Sequence, residues 1–368
     1  LTGAFAKQLG LAIGSEVAAA GEGRVLVARD TRPSGRGLTE ALVQGLRDAG
    51  QDVVDLGVAP TPLLYFATRY KGDVSGVMVT GSHNPPEYNG LKVVIGGVTL
   101  EGDRIAALRE RILSGAYAAG NGNYGVDDLK SVYIDRIEKD VALARTLKVV
   151  VDCGNAAASI LAPELYRALG CEVVELHCDP DAGFPDGRVP DPTRPECLEA
   201  LQQRAVAESA DLGLAFDGDG DRLGVVDSGG KIIWADRVLM LLSADVLSRH
   251  PGTDVVFDIK CSHRLAAEIL QNGGRPVMWK TGHSRLKAKL KETGALIGGE
   301  WSGHIVFQDR WYGFDDALYA GARLLELLAF NPRPSAEVFA ELPEALSTPE
   351  LTVPRGEGEE EPVMAAVL

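Results

Sequence analysis

At 368 residues, 45% of them hydrophobic, the chain is long enough for two or three domains, each burying a modest core. Its net charge of −15 argues against a nucleic-acid-binding surface, and no apolar run reaches the roughly eighteen residues that a membrane span requires. Five scattered cysteines, Cys153, Cys171, Cys178, Cys197 and Cys261, form no C-x-x-C pair, which suits small core residues in a reducing cytosol.

The chain opens on a helical stripe between Ala4 and Val17, with Phe5, Leu9, Ala12, Ile13 and Val17 on one side. A strand from Arg24 to Asp30 follows and ends in the polar loop Thr31 to Gly35. A helix from Leu38 to Ala49 stops at Gly50, where a glycine closes helices well, and Val53 to Leu56 is the next strand. The same order returns twice. Lys148 to Asp152 is a strand, Pro163 to Leu169 a helix halted by Gly170, and Val173 to Leu176 a strand. Later, Asp254 to Asp258 is a strand, Leu265 to Gln271 a helix ending near Gly273, and Val277 to Trp279 a strand. In each copy a third apolar strand runs into a polar loop, followed by one more strand and a helix: Ile105 to Leu113, Arg237 to Leu247, and Asp315 to Leu328.

This alternation implies right-handed parallel crossovers. The predicted fold is α/β, with three tandem similar α/β/α units, mixed and mostly parallel sheets, and the three polar loops on the same sheet edge around a central cleft. Boundaries are expected at 1–128, 129–231 and 232–344. Residues 345–368 then read as the opening of a fourth, smaller α+β unit, with 356–361 a solvated acidic turn.

The first polar loop is Thr80-Gly81-Ser82-His83-Asn84-Pro85-Pro86, running on to Lys92. The apolar run Ser75 to Thr80 precedes it, and the crowded Gly, Pro and Asn prevent a helix from starting. Ligands of open α/β sheets bind at that carboxyl edge. The Ser82 hydroxyl can hold a phosphoryl group, and the His83 imidazole or Lys92 amine can move a proton; a plain polar turn is the alternative. The second loop, Asp217-Gly218-Asp219-Gly220-Asp221-Arg222, follows the strand Ala210 to Phe216. Three carboxylates spaced by glycines repel one another without a cation, and hard oxygens suit Mg²⁺. An EF-hand fails, because Arg222 stands at the sixth place and Ser228 at the twelfth. The third loop is Gly299-Glu300-Trp301-Ser302-Gly303-His304.

In this order the three loops resemble those of the α-D-phosphohexomutase family: a T-x-S-H-N-P serine loop, a D-G-D-G-D-R metal loop and a G-E-x-S-G-H sugar loop. The resemblance runs from about Leu1 to Leu368. It implies that Ser82 becomes a phosphoserine and donates its phosphoryl group, and that Asp217, Asp219 and Asp221 hold Mg²⁺, which also touches that phosphate. Arg222 is expected beside the phosphate. Lys92 and His304 are the candidates for proton transfer, on the ground that a lysine near other cations can lose its proton near neutral pH. His83 is as readily a brace for the loop. Glu300 and Ser302 are expected to hydrogen-bond two sugar hydroxyls, and Lys260, His283 and the Arg-rich loop at Arg32 to approach substrate. Trp301 departs from the methionine or glutamine common in the family. Lys287, Lys289 and Lys291, spaced around Leu286 and Leu290, read as a solvated helix face. The family's fourth domain, with its phosphate-gripping loop, is expected beyond the end of the chain.

The resemblance therefore implies a hexose phosphomutase: cytoplasmic, monomeric or weakly dimeric, with hexose phosphates as its partners and hexose 1,6-bisphosphate as intermediate and activator. A phosphoglucosamine mutase is the nearest alternative. A sugar-phosphate-binding protein without turnover is the alternative from another class.

Overall fold

The computed structural model describes residues 1–72, 74–180, 184 and 189–344. The expected opening of a fourth unit, 345–368, lies outside them. The first sheet is built from β1 (Arg24–Arg29), β2 (Asp52–Val58), β3 (Ser75–Thr80), β4 (Gly90–Ile95), β5 (Val98–Thr99) and β6 (Tyr124–Val126), in the spatial order β5-β4-β3-β1-β2-β6. The second holds β7 (Lys148–Asp152), β8 (Glu172–Leu176), β9 (Leu212–Phe216), β10 (Leu223–Asp227) and β11 (Ile232–Ile233), ordered β11-β10-β9-β7-β8. The third holds β12 (Asp254–Asp258), β13 (Arg275–Trp279), β14 (Ile297–Gly299) and β15 (Ile305–Phe307), ordered β13-β12-β14-β15.

One plan underlies all three sheets. The first strand of each unit lies between the second and third and pairs parallel to both; the fourth pairs antiparallel to the third. The threefold repeat expected from the sequence is present. Strands β3, β9 and β10 are buried at every position. Helices cover both faces of such strands, so their sequences run apolar without alternation.

Helices α1 (Gly3–Ala19), α2 (Gly35–Asp48), α3 (Thr61–Tyr70) and α4 (Asp103–Ser114) accompany the first sheet, and α5 (Lys130–Glu138), α6 (Ala162–Ala168) and α7 (Pro195–Ala207) belong to the second unit. Then follow α8 (Ala235–Arg249), α9 (His263–Gln271), α10 (His283–Thr293), α11 (Ala317–Phe330) and α12 (Ser335–Ala340). The sequence reading passed over α3. Its residues from Thr61 to Thr68 are all buried, and the short apolar run Leu63 to Ala67 cannot be told from a buried strand by pattern alone. It sits in the middle of a core that runs continuously from Leu26 to Phe339 through all three units. Phe66 of α3 packs on Tyr133 of α5 and on Trp311, which stacks on Tyr319 of α11 at 4.1 Å. Such shared aromatic packing holds the units in one arrangement, so loops from different sheets meet in fixed positions.

Helix α10 corrects one expectation. Leu286 and Leu290 are buried as their spacing demands, but Lys287 is not solvated. Its Nζ lies 2.6 Å from Asp315 Oδ1 and over the Tyr65 ring. Lys289 likewise lies over the Trp279 ring while pairing with Glu292. Long lysine stems cover apolar surface readily, and a positional pattern does not reveal it.

Candidate active site

Each polar loop is the hairpin between the third and fourth strands of its unit, so all three leave equivalent sheet edges. Residue 218 must be small where they meet. A Cβ on Gly218 would stand 2.1 Å from the Ser82 carbonyl oxygen. Thr61, at the start of α3, ties the second loop to the first unit: its N–H donates to Asp219 O at 2.8 Å and its hydroxyl to Asp219 Oδ2 at 2.5 Å. On the other side Leu223 N–H donates to Gly303 O at 3.0 Å, and Arg222 and His304 form an antiparallel bridge.

Ser82 takes a left-handed backbone, φ 48°, which is uncommon outside glycine. Arg32 and Asp30 hold it there. The Arg32 guanidinium donates through Nε to Asp30 Oδ2 (3.1 Å), through Nη1 to Pro85 O (2.5 Å) and Tyr88 O (3.0 Å), and through Nη2 to Ser82 O and Asn84 O (both 2.6 Å). That engages all five of its donors, and the side chain is fully buried. Arg32 is therefore not a substrate ligand, as its place in an Arg-rich loop had suggested. It clasps the serine loop from behind. Asp30 completes the clasp by accepting from Thr80 Oγ1 and Gly81 N.

In front of the serine the three aspartates are wholly buried. Ser82 Oγ donates to Asp217 Oδ2 at 2.6 Å, and His83 Nδ1 lies 3.1 Å from the same hydroxyl. Burial, then Asp219 and Asp221, push the Asp217 carboxyl up to about 8. Lys92 bridges the other two carboxylates, at 2.7 Å from Asp219 Oδ2 and in contact with Asp221 Oδ2. Burial alone would depress this ammonium, but Asp219 and Asp221 outweigh it and hold the amine well above its usual range. Its neighbours are carboxylates and not cations, so the loss of its proton near neutral pH expected from the sequence has no cause in this arrangement.

Two imidazoles of the third unit, His304 and His283, are driven apart. His304 is buried, with Nδ1 2.8 Å from Glu300 Oε2 and Nε2 3.3 Å from Asp221 Oδ1. Burial opposes its charge, yet Asp221 and Glu300 prevail and raise it to about 9. Both ring nitrogens then donate, so the 3.4 Å approach of Arg222 Nε to Nε2 is a contact of like charges and not a hydrogen bond. His283 stacks on it, ring centroids 5.2 Å apart. Burial lowers the His283 imidazole, and the pull of Asp315, 3.1 Å from Nδ1, does not reverse that. His83 is also lowered, by burial and then Arg222. Opposed shifts of this kind sort proton donors from proton acceptors.

Most of the residues singled out from the sequence thus converge: Ser82, Lys92, Asp217, Asp219, Asp221, Arg222, Glu300, Ser302, His283 and His304. Glu300 differs in orientation from its expected role. It is 2% exposed, with Oε1 accepting from Gly282 N at 2.5 Å and Oε2 facing His304, so it holds the imidazole rather than projecting into the cleft. Ser302 Oγ is 3.1 Å from His304 Nδ1. Lys260 is exposed on the turn after β12. Sequence reasoning missed Thr61, Asp30, Lys287 and Asp315. Only the paired Asp315-Asp316 at the start of α11 gave a signal, and it is indistinguishable from a helix cap, which Asp316 is.

The aspartate cluster fits a divalent cation. One carboxylate oxygen from each of Asp217, Asp219 and Asp221 lies within 4.8 Å of the others, and Asp219 Oδ1 is buried with no hydrogen-bond partner. Hard, negative oxygens left without enough donors are what such an ion satisfies.

Three models of phosphoglucomutase/phosphomannomutase α/β/α domains I, II and III match residues 1–118, 131–230 and 234–346 in that order. The chain belongs to the phosphoglucomutase/phosphomannomutase family. It is 53% identical over 353 residues to the phosphomannomutase/phosphoglucomutase of Pseudomonas aeruginosa, covering 96% of this chain and 76% of that protein. It is 46% identical over 360 residues to the phosphoglucomutase of Neisseria gonorrhoeae, covering 97% and 78%. A crystal structure of a phosphoglucomutase/phosphomannomutase family protein from Burkholderia thailandensis superposes with a TM-score of 0.91 at 51% identity, over 95% of this chain and 78% of that one. In this family member, no helix among the described residues is long and apolar enough to cross a membrane.

Proposed function

We propose that this protein is a hexose phosphomutase that interconverts hexose 1-phosphate and 6-phosphate, of glucose, mannose or both. The observation that carries the reading is a serine hydroxyl 2.6 Å from one of three buried, mutually repelling aspartates, with donors and acceptors of protons around it. Phospho-Ser82 gives its phosphoryl group to the free hydroxyl of the sugar phosphate. The resulting bisphosphate turns over, and its other phosphate returns to Ser82. Asp217, Asp219 and Asp221 would hold Mg²⁺, which when bound spreads the charge on the transferring group.

The chain's own residues divide the remaining work. Arg32 and Asp30 fix the serine in its half-buried, left-handed turn. Arg222, whose Nη1 lies 3.5 Å from His83 Nε2, faces the serine side and stabilises phosphate oxygens. His83, neutral and in contact with Oγ, takes or returns the serine-side proton. Lys92 supplies a proton to a departing sugar oxygen, and His283, also neutral, accepts one from an attacking hydroxyl; the two line one cavity between the first and third units. His304, kept charged by Glu300 and Asp221, adds positive charge and fixes the stacked ring of His283.

A phosphoglucosamine mutase is not favoured, since the similar proteins named above are phosphomannomutases and phosphoglucomutases. A binding protein without turnover would not need opposed acid and base groups around one hydroxyl. We place the enzyme in the cytoplasm, whose reducing poise suits five cysteines without a disulfide, as a monomer or weak dimer. The test is turnover of glucose 1-phosphate, mannose 1-phosphate and glucosamine 1-phosphate, each with catalytic hexose 1,6-bisphosphate and Mg²⁺. Conversion of the first two supports the proposal. Conversion of glucosamine 1-phosphate alone, or of none, refutes it.

A further inference from the structure

Two of the five thiols face each other beside the metal loop. Cys153 follows β7 and Cys178 follows β8, and their sulfurs are 3.4 Å apart. Among the described residues the other three cysteines make no contact with a second sulfur. The approach is enforced by the strand ends. Asp152 is paired in register with Leu176, Cys153 N–H donates to Leu176 O at 3.2 Å, and Asn155 N–H donates to His177 O at 2.7 Å. His177 Nδ1 adds a contact with Asp152 Oδ1 at 3.0 Å, and Asn155 Nδ2 one with Asp179 O at 2.7 Å. A disulfide closes sulfurs to about 2.05 Å, so roughly 1.3 Å of movement separates the pair from a bond.

We propose that Cys153 and Cys178 are a reversible disulfide site through which hydroperoxide oxidation loosens the metal loop. Cys178 is half-buried and Cys153 fully buried, which assigns the first encounter with peroxide to Cys178. The Cys178 thiol gives up its proton and its sulfur attacks the peroxide; the S–O bond forms, the O–O bond breaks, and the hydroxide that leaves takes up that proton as water, leaving sulfenic acid. The Cys153 sulfur gives up its proton and attacks the Cys178 sulfur. The S–S bond forms, the S–O bond breaks, and hydroxide leaves with that proton as a second water. The two thiols lose two electrons in all and the peroxide gains them. Burial, then the neighbouring Cys178, hold the Cys153 thiol well above its ordinary range, which assigns it the second role.

The consequence follows from what the β7 turn touches. Ala157 N–H donates to Gly218 O at 3.3 Å, and the Ala158 Cβ lies 3.6 Å from where a Cβ on Gly220 would stand. Drawing that turn toward β8 pulls on the loop that carries Asp217, Asp219 and Asp221. This part rests on the metal-loop reading above.

The test treats the full chain with hydrogen peroxide, blocks remaining thiols, and maps the peptides. A Cys153–Cys178 cross-linked peptide, lost on treatment with dithiothreitol, is expected. Calorimetric titration of the oxidised protein should show Mg²⁺ affinity reduced about tenfold, as when groups supporting a metal ligand are disturbed. Cys178→Ser and Cys178→Ala should abolish both changes while leaving the untreated protein's Mg²⁺ affinity in place. Two alkylatable thiols after peroxide, or further oxidation of Cys178 without a link, overturn the site. A link with unchanged Mg²⁺ affinity overturns its coupling to the loop. The peptide map does not depend on mutase activity, so failure of the proposed reaction appears separately, as no turnover in the untreated protein.

Discussion

Replacing Arg32 by methionine separates two roles that a single arginine could have. The substitution keeps the apolar stem and removes five donors that satisfy Asp30 and the carbonyls of Ser82, Asn84, Pro85 and Tyr88. Charged hydrogen bonds contribute about 1.5–3 kcal/mol each, so a simple sum reaches ~7–15 kcal/mol, which equals the stability of a whole domain. That sum is too large, because water enters beside the loop carbonyls and the bonds are not independent. What water does not mend is the Asp30 carboxylate, 2% exposed and left without its counter-ion. Breaking a buried pair in this way costs about 3–5 kcal/mol. The expected result in guanidinium unfolding is a loss of that size in the cooperative unit containing the first sheet. Lysine at this position should recover only a minor part, because a single ammonium cannot reach four carbonyls and a carboxylate at once. The mutase rate should fall through kcat, since Ser82 is no longer fixed, with KM for the sugar phosphate nearly unchanged. Stability within about 1 kcal/mol of the parent together with a raised KM would refute the clasp and restore Arg32 as a substrate ligand.

Ser82→Ala should abolish turnover with stability changed by no more than about 1 kcal/mol, and Ser82→Gly should be equally inactive but the more stable of the two, by up to ~1–2 kcal/mol, because φ 48° costs glycine nothing. Residual activity above a few per cent in the alanine variant would end the phosphoserine assignment. Asp219→Asn should weaken Mg²⁺ and remove catalysis, so an unchanged Mg²⁺ dependence of the rate speaks against the metal loop. Asp316, buried against Tyr133, Trp311 and Tyr319, is raised by burial from 3.8 to about 7. Its folded form holds a proton that the unfolded chain releases, so its contribution is fully present below about pH 4 and is lost as pH rises toward about 7. That loss is on the order of 4 kcal/mol. Asp316→Asn should flatten this slope in urea midpoints measured across the same range, and an undiminished slope would show that the carboxyl is ionised in the fold.

The strands, the threefold order and the three polar loops were legible in the chain itself because each rests on local physics. Buried strands read as apolar runs, glycines stop helices, and carboxylates one glycine apart on a loop must share a cation. Helix α3 was not legible, since its apolar run Leu63 to Ala67 is too short to tell a buried helix from a buried strand. The roles of individual charges were not legible either. Arg32 lies in a loop that looks made for phosphate, and only the fold of Ser82 to Tyr88 back over it consumes its donors. Lys287 has helical spacing that suits solvent, and only the approach of Asp315 and Tyr65 buries it. Lys92 is kept charged by Asp219 and Asp221, residues that another sheet delivers; His304 and His283, both plain imidazoles in the sequence, are driven to opposite states by burial and by which carboxylate each meets. Local pattern determines where a loop will be and what chemistry it carries. Whether a group in it is charged, engaged or free depends on partners that only the fold brings up, 50 residues away for Arg32 and 127 for Lys92, the latter chosen only when the units pack together.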